Sequence, residues 1–246
     1  GIVDVVIPAN GSSNTLTVKA PDNVYTTNDN VTAAITTVTG GAHFENLVPV
    51  TTPVTTTVTD VPGTKNDTTL TLTAPSEVNE GGTITYTATL SHEAKTDVLV
   101  TLNDGTTITI AAGTSSNTVT LPAPTDDVFK DEGSVQLSID ASKTSGGGFE
   151  NLVINTTPAS TFVNDTVDEV RVVLTASDTN VSEGQNIVYT VKLVDANNQP
   201  VLNNDKPVTV SVQTINGIVD VVIPANGSSN TLTVKAPDNV YTVNPD

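Results

Sequence analysis

The chain has 246 residues and a formal net charge of −18, from 9 lysines and arginines against 27 aspartates and glutamates. This excess of negative charge argues against nucleic acid or an anionic membrane as a partner, because both would repel the chain. The absence of cysteine excludes disulfides and thiolate chemistry. No apolar run approaches the roughly 20 residues that cross a bilayer, so we expect no membrane insertion of these residues.

Internal repeats organise the chain. Residues 1–26 recur without change at 217–242, and a weaker copy of the same strand-turn-strand pattern lies at 105–129. The sequence FENLV at 44–48 returns at 149–153, an offset of 105 positions. Self-similarity at a fixed period is typical of domain arrays. The sequence therefore predicts a repeat unit of about 105 residues.

These matches predict three segments. Residues 1–66 would be the C-terminal half of an Ig-like repeat with its linker. Residues 67–170 would be one complete repeat with its linker, and residues 171–246 the first two-thirds of another. We expect the half-repeat at one end to need strands that the other end carries, and head-to-tail strand complementation between two molecules would supply them.

The sequence of the complete repeat predicts strands along its whole length. Val, Ile, Thr and Tyr alternate with period two between clusters of Gly, Pro, Asn and Asp, which is typical of an antiparallel β-sandwich. We predict an all-β chain of tandem Ig-like, Greek-key-type domains with about seven strands each. The aromatic residues of the complete repeat are expected to pack in its core, and they are Tyr86, Phe129, Phe149 and Phe162. The predicted strands are 69–74, 83–90, 97–102, 106–110, 115–121, 133–140 and one within 150–164.

Acidic loops should gather at one pole of this sandwich, because alternate strand ends of an antiparallel fold point the same way. Two carboxylates about 5 Å apart repel by about 3 kcal/mol at an effective dielectric constant of about 20. Calcium would relieve this repulsion, since it accepts six to eight oxygen ligands in loose geometry. There is no EF-hand loop, and the alternative is that these acids only keep the surface soluble. The loops contribute Glu77, Glu80, Asp104, Asp126, Asp127, Asp131, Glu132, Asp165, Asp168 and Glu169.

The pattern V-x-E-G-x-x-I-x-Y-T-x-x-L at 78–90 is followed by D-x-V-[FY], G-G-x-F-E-N-L and a closing V-[TN]-D. Together these motifs resemble the Ig-like extender repeats of large RTX adhesins of Gram-negative bacteria. The resemblance implies type I secretion, an outer-membrane-anchored extracellular protein, roles in cell adhesion and biofilm formation, and calcium bound where neighbouring repeats of the same adhesin meet.

The resemblance also implies calcium ligands. They are Glu80, Asp126, Asp127 and Asp165 in the complete repeat, Glu183 and Asp238 in the last, and Asp22 and Asp60 in the first. With Asp67, Asp104, Asp131 and Asp168 from the acidic loops and linkers, these residues form the predicted metal-binding set. Asn23 and Asn239 stand where Asp127 stands, and the linker from Asp60 to Asp67 differs from that after Asp165, so those sites are expected to bind more weakly or not at all.

Other functions fit the sequence less well. The two histidines, His43 and His92, have no Ser, Cys or metal-ligand partner at a recognisable spacing, so we expect no enzyme. A module that binds carbohydrate or another surface is one alternative, although only 3% of the residues are aromatic. A cadherin-like homophilic adhesion domain is a further alternative.

Overall fold

The computed structural model describes residues 1–61, 63, 65–204 and 206–240. Throughout these ranges the chain forms strands, turns and extended segments and no helix, which confirms the all-β prediction. The chain folds into two compact units. The first unit contains residues 1–78, 83–123 and 134–162, and the second contains residues 79–82, 124–133 and the chain from 163 onward.

Seventeen strands form in the described residues. They are β1 (Val31–Ala33), β2 (Val54–Thr56), β3 (Asp67–Thr73), β4 (Glu77–Asn79), β5 (Thr83–Leu90), β6 (Val98–Thr101), β7 (Thr107–Ile110), β8 (Ser116–Pro122), β9 (Gly133–Leu137), β10 (Ser145–Gly146), β11 (Asn151–Ile154), β12 (Ala159–Asn164), β13 (Arg171–Ala176), β14 (Asn186–Val194), β15 (Val208–Thr214), β16 (Gly217–Ile223) and β17 (Ser229–Lys235).

The alternation of apolar residues with threonine explains why these segments form strands. In β5, Ile84, Tyr86, Ala88 and Leu90 are buried, whereas the threonines between them are exposed or half-buried. Successive side chains of a strand point to opposite faces, so one apolar face meets the core and the threonine face meets water. Threonine suits this outer face because its branched side chain favours the extended backbone.

The first unit is built on two main sheets, with strand orders β11-β3-β5-β8 and β10-β6-β7. Both contribute to one core, which includes Leu70, Ile84, Tyr86, Val100 and Ile110. The pairing of β3 with β5 is antiparallel, whereas β3 and β11 are parallel. A third sheet has the order β4-β12-β9, and a short pair joins β1 to β2.

The strand count exceeds the prediction. Ten strands lie between residues 67 and 164, where about seven were expected. The short strands β4 and β10 were not predicted, and the last predicted strand is divided into β11 and β12, with Pro158 just before β12. Proline lacks the backbone N–H that a ladder needs, which accounts for the break.

The second unit contains two sheets with the orders β13-β14-β17 and β15-β16. All of their pairings are antiparallel. Val191, Val212, Val221 and Ile223 form the centre of a separate apolar core.

Within the first unit, an aromatic contact joins the repeat that includes residues 1–60 to the repeat that follows. The rings of Tyr25 and Phe149 stack with centroids 5.8 Å apart. The backbone on both sides is paired, since Glu150 N donates to Val24 O at 2.9 Å and Thr26 N donates to Gly148 O at 3.0 Å. We call this arrangement the Tyr25–Phe149 contact. It joins two motifs that the repeats share, the V-[FY] segment and FENL.

Candidate metal centre

Three carboxylates come together in the second unit. Glu80, Asp131 and Asp165 each offer an oxygen, and these oxygens all lie within 4.8 Å of one another. Glu80 directly follows β4 and Asp165 directly follows β12. These two strand ends are held side by side, because Glu80 N donates to Asn164 O at 3.0 Å. We call these three residues the acidic cluster.

Glu80 is the buried member of the acidic cluster, with 7% of its surface exposed, while Asp165 is half-buried and Asp131 is exposed. The Oε1 atom of Glu80 accepts hydrogen bonds from the backbone N of Thr166 at 2.8 Å and from the Thr166 hydroxyl at 3.3 Å. Neutral donors satisfy a carboxylate only in part, because burial still penalises its charge. A cation would complete this environment.

No basic side chain supplies that charge within the described ranges. The two ion pairs found there join Lys143 to Asp140 at 2.9 Å and Arg171 to Glu169 at 3.7 Å, and neither involves the acidic cluster. At 4.8 Å, two carboxylates repel by about 3 kcal/mol if the effective dielectric constant is about 20. The donors are all oxygens, which suits a hard divalent cation such as calcium and not zinc, whose sites favour His and Cys.

Asp126 reaches the acidic cluster through Thr166, whose hydroxyl contacts both Oδ1 of Asp126 and Oε1 of Glu80. Gly81 permits this approach. Its φ is +69°, its N donates to Pro124 O at 2.6 Å, and a Cβ atom there would lie 3.1 Å from Cβ of Asp126. A side chain at Gly81 would therefore strain the backbone and push Asp126 away.

Besides Asp126 and Asp67, three more predicted ligands of the complete repeat lie outside the acidic cluster. Asp127 caps a local turn, since its Oδ1 accepts from Phe129 N at 2.7 Å. Asp104 belongs to the first unit and closes the β6–β7 hairpin by accepting from Thr106 N and from its hydroxyl, both at 2.9 Å. Asp168 is exposed.

The last repeat has the same backbone arrangement around Glu183 and Asp238. Gly184 N donates to Pro237 O at 3.3 Å, as Gly81 does to Pro124, and Oδ2 of Asp238 lies 3.6 Å from the position of a Cβ at Gly184. Oε2 of Glu183 accepts a long bond of 3.4 Å from Asn239 N. Both acids are exposed.

In the first unit, amide side chains contact the predicted acids. Asn66 Nδ2 donates to Oδ1 of Asp22 at 3.1 Å, and Nδ2 of Asn28 donates to Oδ1 of Asp60. Asn151 Nδ2 donates to Oδ1 of Asp67 at 2.6 Å. Residues 60–67 form what we call the first linker, and residues 165–170 the second linker. The acids of the first linker are hydrogen-bonded by neutral donors, and the second linker opens with Asp165 of the acidic cluster.

The contacts of Thr166, Asn28 and Asn66 with the predicted acids were not predicted from the sequence, because these side chains are neutral and the prediction considered charged ligands. Their positions offered a usable signal, since Thr166 and Asn66 stand in the linkers, next to Asp165 and Asp67. The Tyr25–Phe149 contact was also missed, although both of its motifs had been recognised as repeats.

In the part of the chain that the structure describes, no helix is long and apolar enough to span a bilayer.

Comparison with known proteins identifies the family. None of the curated proteins matches the chain. A family model described as the LapA domain matches residues 3–61 and 66–166, which together make up more than half of the sequence. LapA is a large adhesin of the biofilm and surface-attachment type. The chain therefore belongs to the LapA domain family, and it is part of a cell-surface adhesin.

Proposed function

We propose that this chain is an extender region of a surface adhesin, in which calcium bound at the second linker stiffens tandem Ig-like repeats that carry a distal ligand-binding domain. The acidic cluster is the observation that carries this proposal. It sets a buried carboxylate, Glu80, within 4.8 Å of Asp131 and Asp165, and Asp165 opens the second linker. An RTX adhesin exported by type I secretion would fit this role, which requires no catalytic residue.

Calcium suits both the donors and the location. Glu80, Asp131 and Asp165 would provide carboxylate oxygens, and Asp126 is close enough through Thr166 to add another. The ion would neutralise charges that no lysine or arginine of the described residues balances. Because Asp165 belongs to the second linker, holding it against Glu80 restricts the chain where it leaves the repeat.

Calcium binding would also stabilise the folded form. An ion that binds only the native state adds RT ln(1 + [L]/Kd), or about 2.7 kcal/mol at one hundred times Kd. A chain that crosses membranes unfolded and meets abundant calcium outside the cell would thus gain stability and stiffness after export.

The test is calorimetric titration of calcium into the wild-type chain and into Glu80→Gln, with Glu77→Gln as the matched control. Glu77 lies three residues earlier, is exposed, and takes no part in the acidic cluster. We expect saturable binding in the wild type and the control, and at least a tenfold weaker affinity in Glu80→Gln. Equal binding by all three proteins would disprove the site.

Small-angle scattering then separates stiffening from binding. The maximum dimension of the wild-type chain should fall when calcium is chelated, and it should not respond in Glu80→Gln. If calcium binds at the acidic cluster but the dimension is unchanged, the metal site stands and its extender role is wrong.

A further inference from the structure

Three consecutive glycines shape a socket in the first unit. Gly146, Gly147 and Gly148 have φ values of +109°, +89° and +70°, a region that residues with side chains rarely adopt. A Cβ at Gly147 would lie 2.2 Å from the ring of Phe149, and one at Gly146 would lie 2.1 Å from Asp97 O. Glycine is therefore required for the backbone to turn this closely around the ring. We call residues 146–149 the glycine socket.

The V-[FY] segment of the preceding repeat lies in the glycine socket. The ring of Tyr25 stacks on that of Phe149, and Thr26 N donates to Gly148 O at 3.0 Å. The Tyr25 hydroxyl donates to Glu93 O at 2.9 Å. The ring and the backbone of the segment are thus both held, and each of these contacts is made by uncharged groups.

Lys95 adds a charged contact to the same segment. Its Nζ atom lies 5.3 Å from the centroid of the Tyr25 ring and donates to Thr27 O at 3.0 Å. An ammonium group is attracted to the face of an aromatic ring by the negative charge density there. The cation at this junction is therefore a side chain of the protein itself.

Acids around the first linker accept hydrogen bonds from amides. Asp22 and Glu150 both accept from Asn66. Asp60 accepts from Asn28. Within the described ranges, no group of three acidic side chains gathers at the first linker as the acidic cluster does at the second. The mutual repulsion that favours a divalent cation at the acidic cluster is thus relieved here by neutral donors.

We propose that the glycine socket is an interaction surface that holds the V-[FY] segment of the preceding repeat without metal. The chain then contains two kinds of junction. Aromatic, backbone and amide contacts close the first linker at any calcium concentration, whereas calcium at the acidic cluster closes the second linker. This inference extends the proposed function, because it confines the calcium-dependent flexibility to the second linker.

Hydrogen exchange of backbone amides, followed by NMR on the full chain, tests the proposal. The amides of Thr26 and Glu150 report on the glycine socket, because both donate hydrogen bonds across this junction. The amide of Thr166 reports on the second linker, since it donates to Oε1 of Glu80. When calcium is chelated, we expect the protection of Thr26 and Glu150 to change by less than about twofold and that of Thr166 to fall at least about tenfold.

The outcomes separate this inference from the proposed function. An equal fall in protection at both junctions would overturn the inference, and so would unprotected amides at Thr26 and Glu150 in the presence of calcium. If protection is high at both junctions and none of the three amides responds to calcium, the glycine socket stands and the calcium control of the second linker is wrong.

Tyr25→Leu tests which contacts hold the junction. The substitution removes the stacking on Phe149, the hydrogen bond of the hydroxyl and the contact with Lys95. Protection of Thr26 should fall at least about tenfold, both with and without calcium. Phe162→Leu is the matched control, because it makes a comparable change at a ring that is 43% exposed, and it should leave Thr26 unchanged. Unchanged protection in Tyr25→Leu would contradict the proposal.

A distance measurement tests the stiffness of the junction directly. The chain has no cysteine, so Asn30→Cys and Ser116→Cys allow one spin label on each side of the glycine socket, and both residues are exposed. The width of the distance distribution should be the same with calcium and with a chelator. It should increase under both conditions when Tyr25→Leu is added. A distribution that broadens on chelation while Tyr25 is intact would overturn the inference.

Discussion

Asn66 and Asp22 are joined by a hydrogen bond in which Nδ2 of Asn66 donates to Oδ1 of Asp22 at 3.1 Å. The same amide nitrogen donates to Asn23 O at 2.7 Å, and the backbone N of Asn66 donates to Oε2 of Glu150 at 2.7 Å. One asparagine thus ties the first linker to acids on two other segments of the first unit. Here a neutral amide stands where the second linker gathers carboxylates.

This relationship predicts that Asn66→Asp makes the first linker dependent on calcium. The substitution removes two donors and adds a charge beside Asp22, so without calcium we expect the unfolding free energy to fall by about 1–3 kcal/mol. Millimolar calcium should restore it, because Asp22 and Glu150 would share an ion with the new carboxylate. Thermal unfolding by circular dichroism, with and without calcium, measures both effects. Asn216→Asp, at the exposed turn between β15 and β16, controls for charge and should respond as the wild type does.

Tyr86→Phe should leave stability at neutral pH unchanged or raise it by up to about 1 kcal/mol. The ring is fully buried, and its hydroxyl has no hydrogen-bond partner in the described residues. Removing a buried, unpaired hydroxyl removes a desolvation cost. Denaturant unfolding of the two proteins tests this, and a loss above about 1 kcal/mol would mean that the hydroxyl is satisfied by water.

The same residue predicts a pH dependence. Burial, with a smaller contribution from the Asp104 carboxylate, raises the pKa of Tyr86. The folded state therefore resists ionisation, and this contribution to stability is fully present below the ordinary tyrosine pKa of about 10 and lost as pH rises toward the higher folded value. We expect the wild type to lose stability above pH about 10 more steeply than Tyr86→Phe. Parallel slopes would contradict this.

Gly146, three residues before the second FENLV motif, should be indispensable. A Cβ at Gly146 would lie 2.1 Å from Asp97 O, and the φ of Gly146 is +109°. Gly146→Ala should therefore destabilise the first unit by more than about 3 kcal/mol. Gly105→Ala is the matched control, because its φ is +91° but nothing lies within 4 Å of the added atom. It should cost only about 1–2 kcal/mol of backbone strain, and equal losses would show that contact with Asp97 is unimportant.

Phe149→Leu and Phe44→Leu compare the two copies of one motif. Phe149 is 8% exposed and stacked on Tyr25, whereas Phe44 is 57% exposed. In dilute solution we expect Phe149→Leu to lower the unfolding free energy by about 1–2 kcal/mol and Phe44→Leu to change it by less than about 0.5 kcal/mol. Chemical denaturation measures both. A similar loss in both variants would show that the stacking of Phe149 on Tyr25 adds little to stability.

Local sequence patterns predicted much of this fold. β5 was predicted at its observed limits, 83–90, because strict alternation of Thr with apolar residues leaves one register. β4 and β10 were missed because three and two residues are too few to show a period. The parallel pairing of β11 with β3 could not be predicted either, since it depends on residues more than 80 positions apart.

The candidate site was predicted only in part, for similar reasons. Strand direction indicated that Glu80 and Asp165 lie at one end of the fold, and the acidic cluster includes both. It could not indicate that Asp104 turns back to bind Thr106, which depends on local hairpin geometry. The prediction of Phe162 as a core residue was wrong, because it stands at an outward position of β12 and is 43% exposed.

The neighbouring strands β4 and β12 have a mechanical consequence. Phe162 N donates to Ser76 O, and Glu80 N donates to Asn164 O. The later residue of one strand is thus bonded to the later residue of the other, so the two strands run parallel. A pulling force on this repeat enters just before β3 and leaves after β12, and it draws the two strands past each other in opposite directions. Their hydrogen bonds lie across that force and must shear together rather than unzip one at a time. A metal ion between Glu80 and Asp165 would reinforce the end of this ladder where tension leaves the repeat.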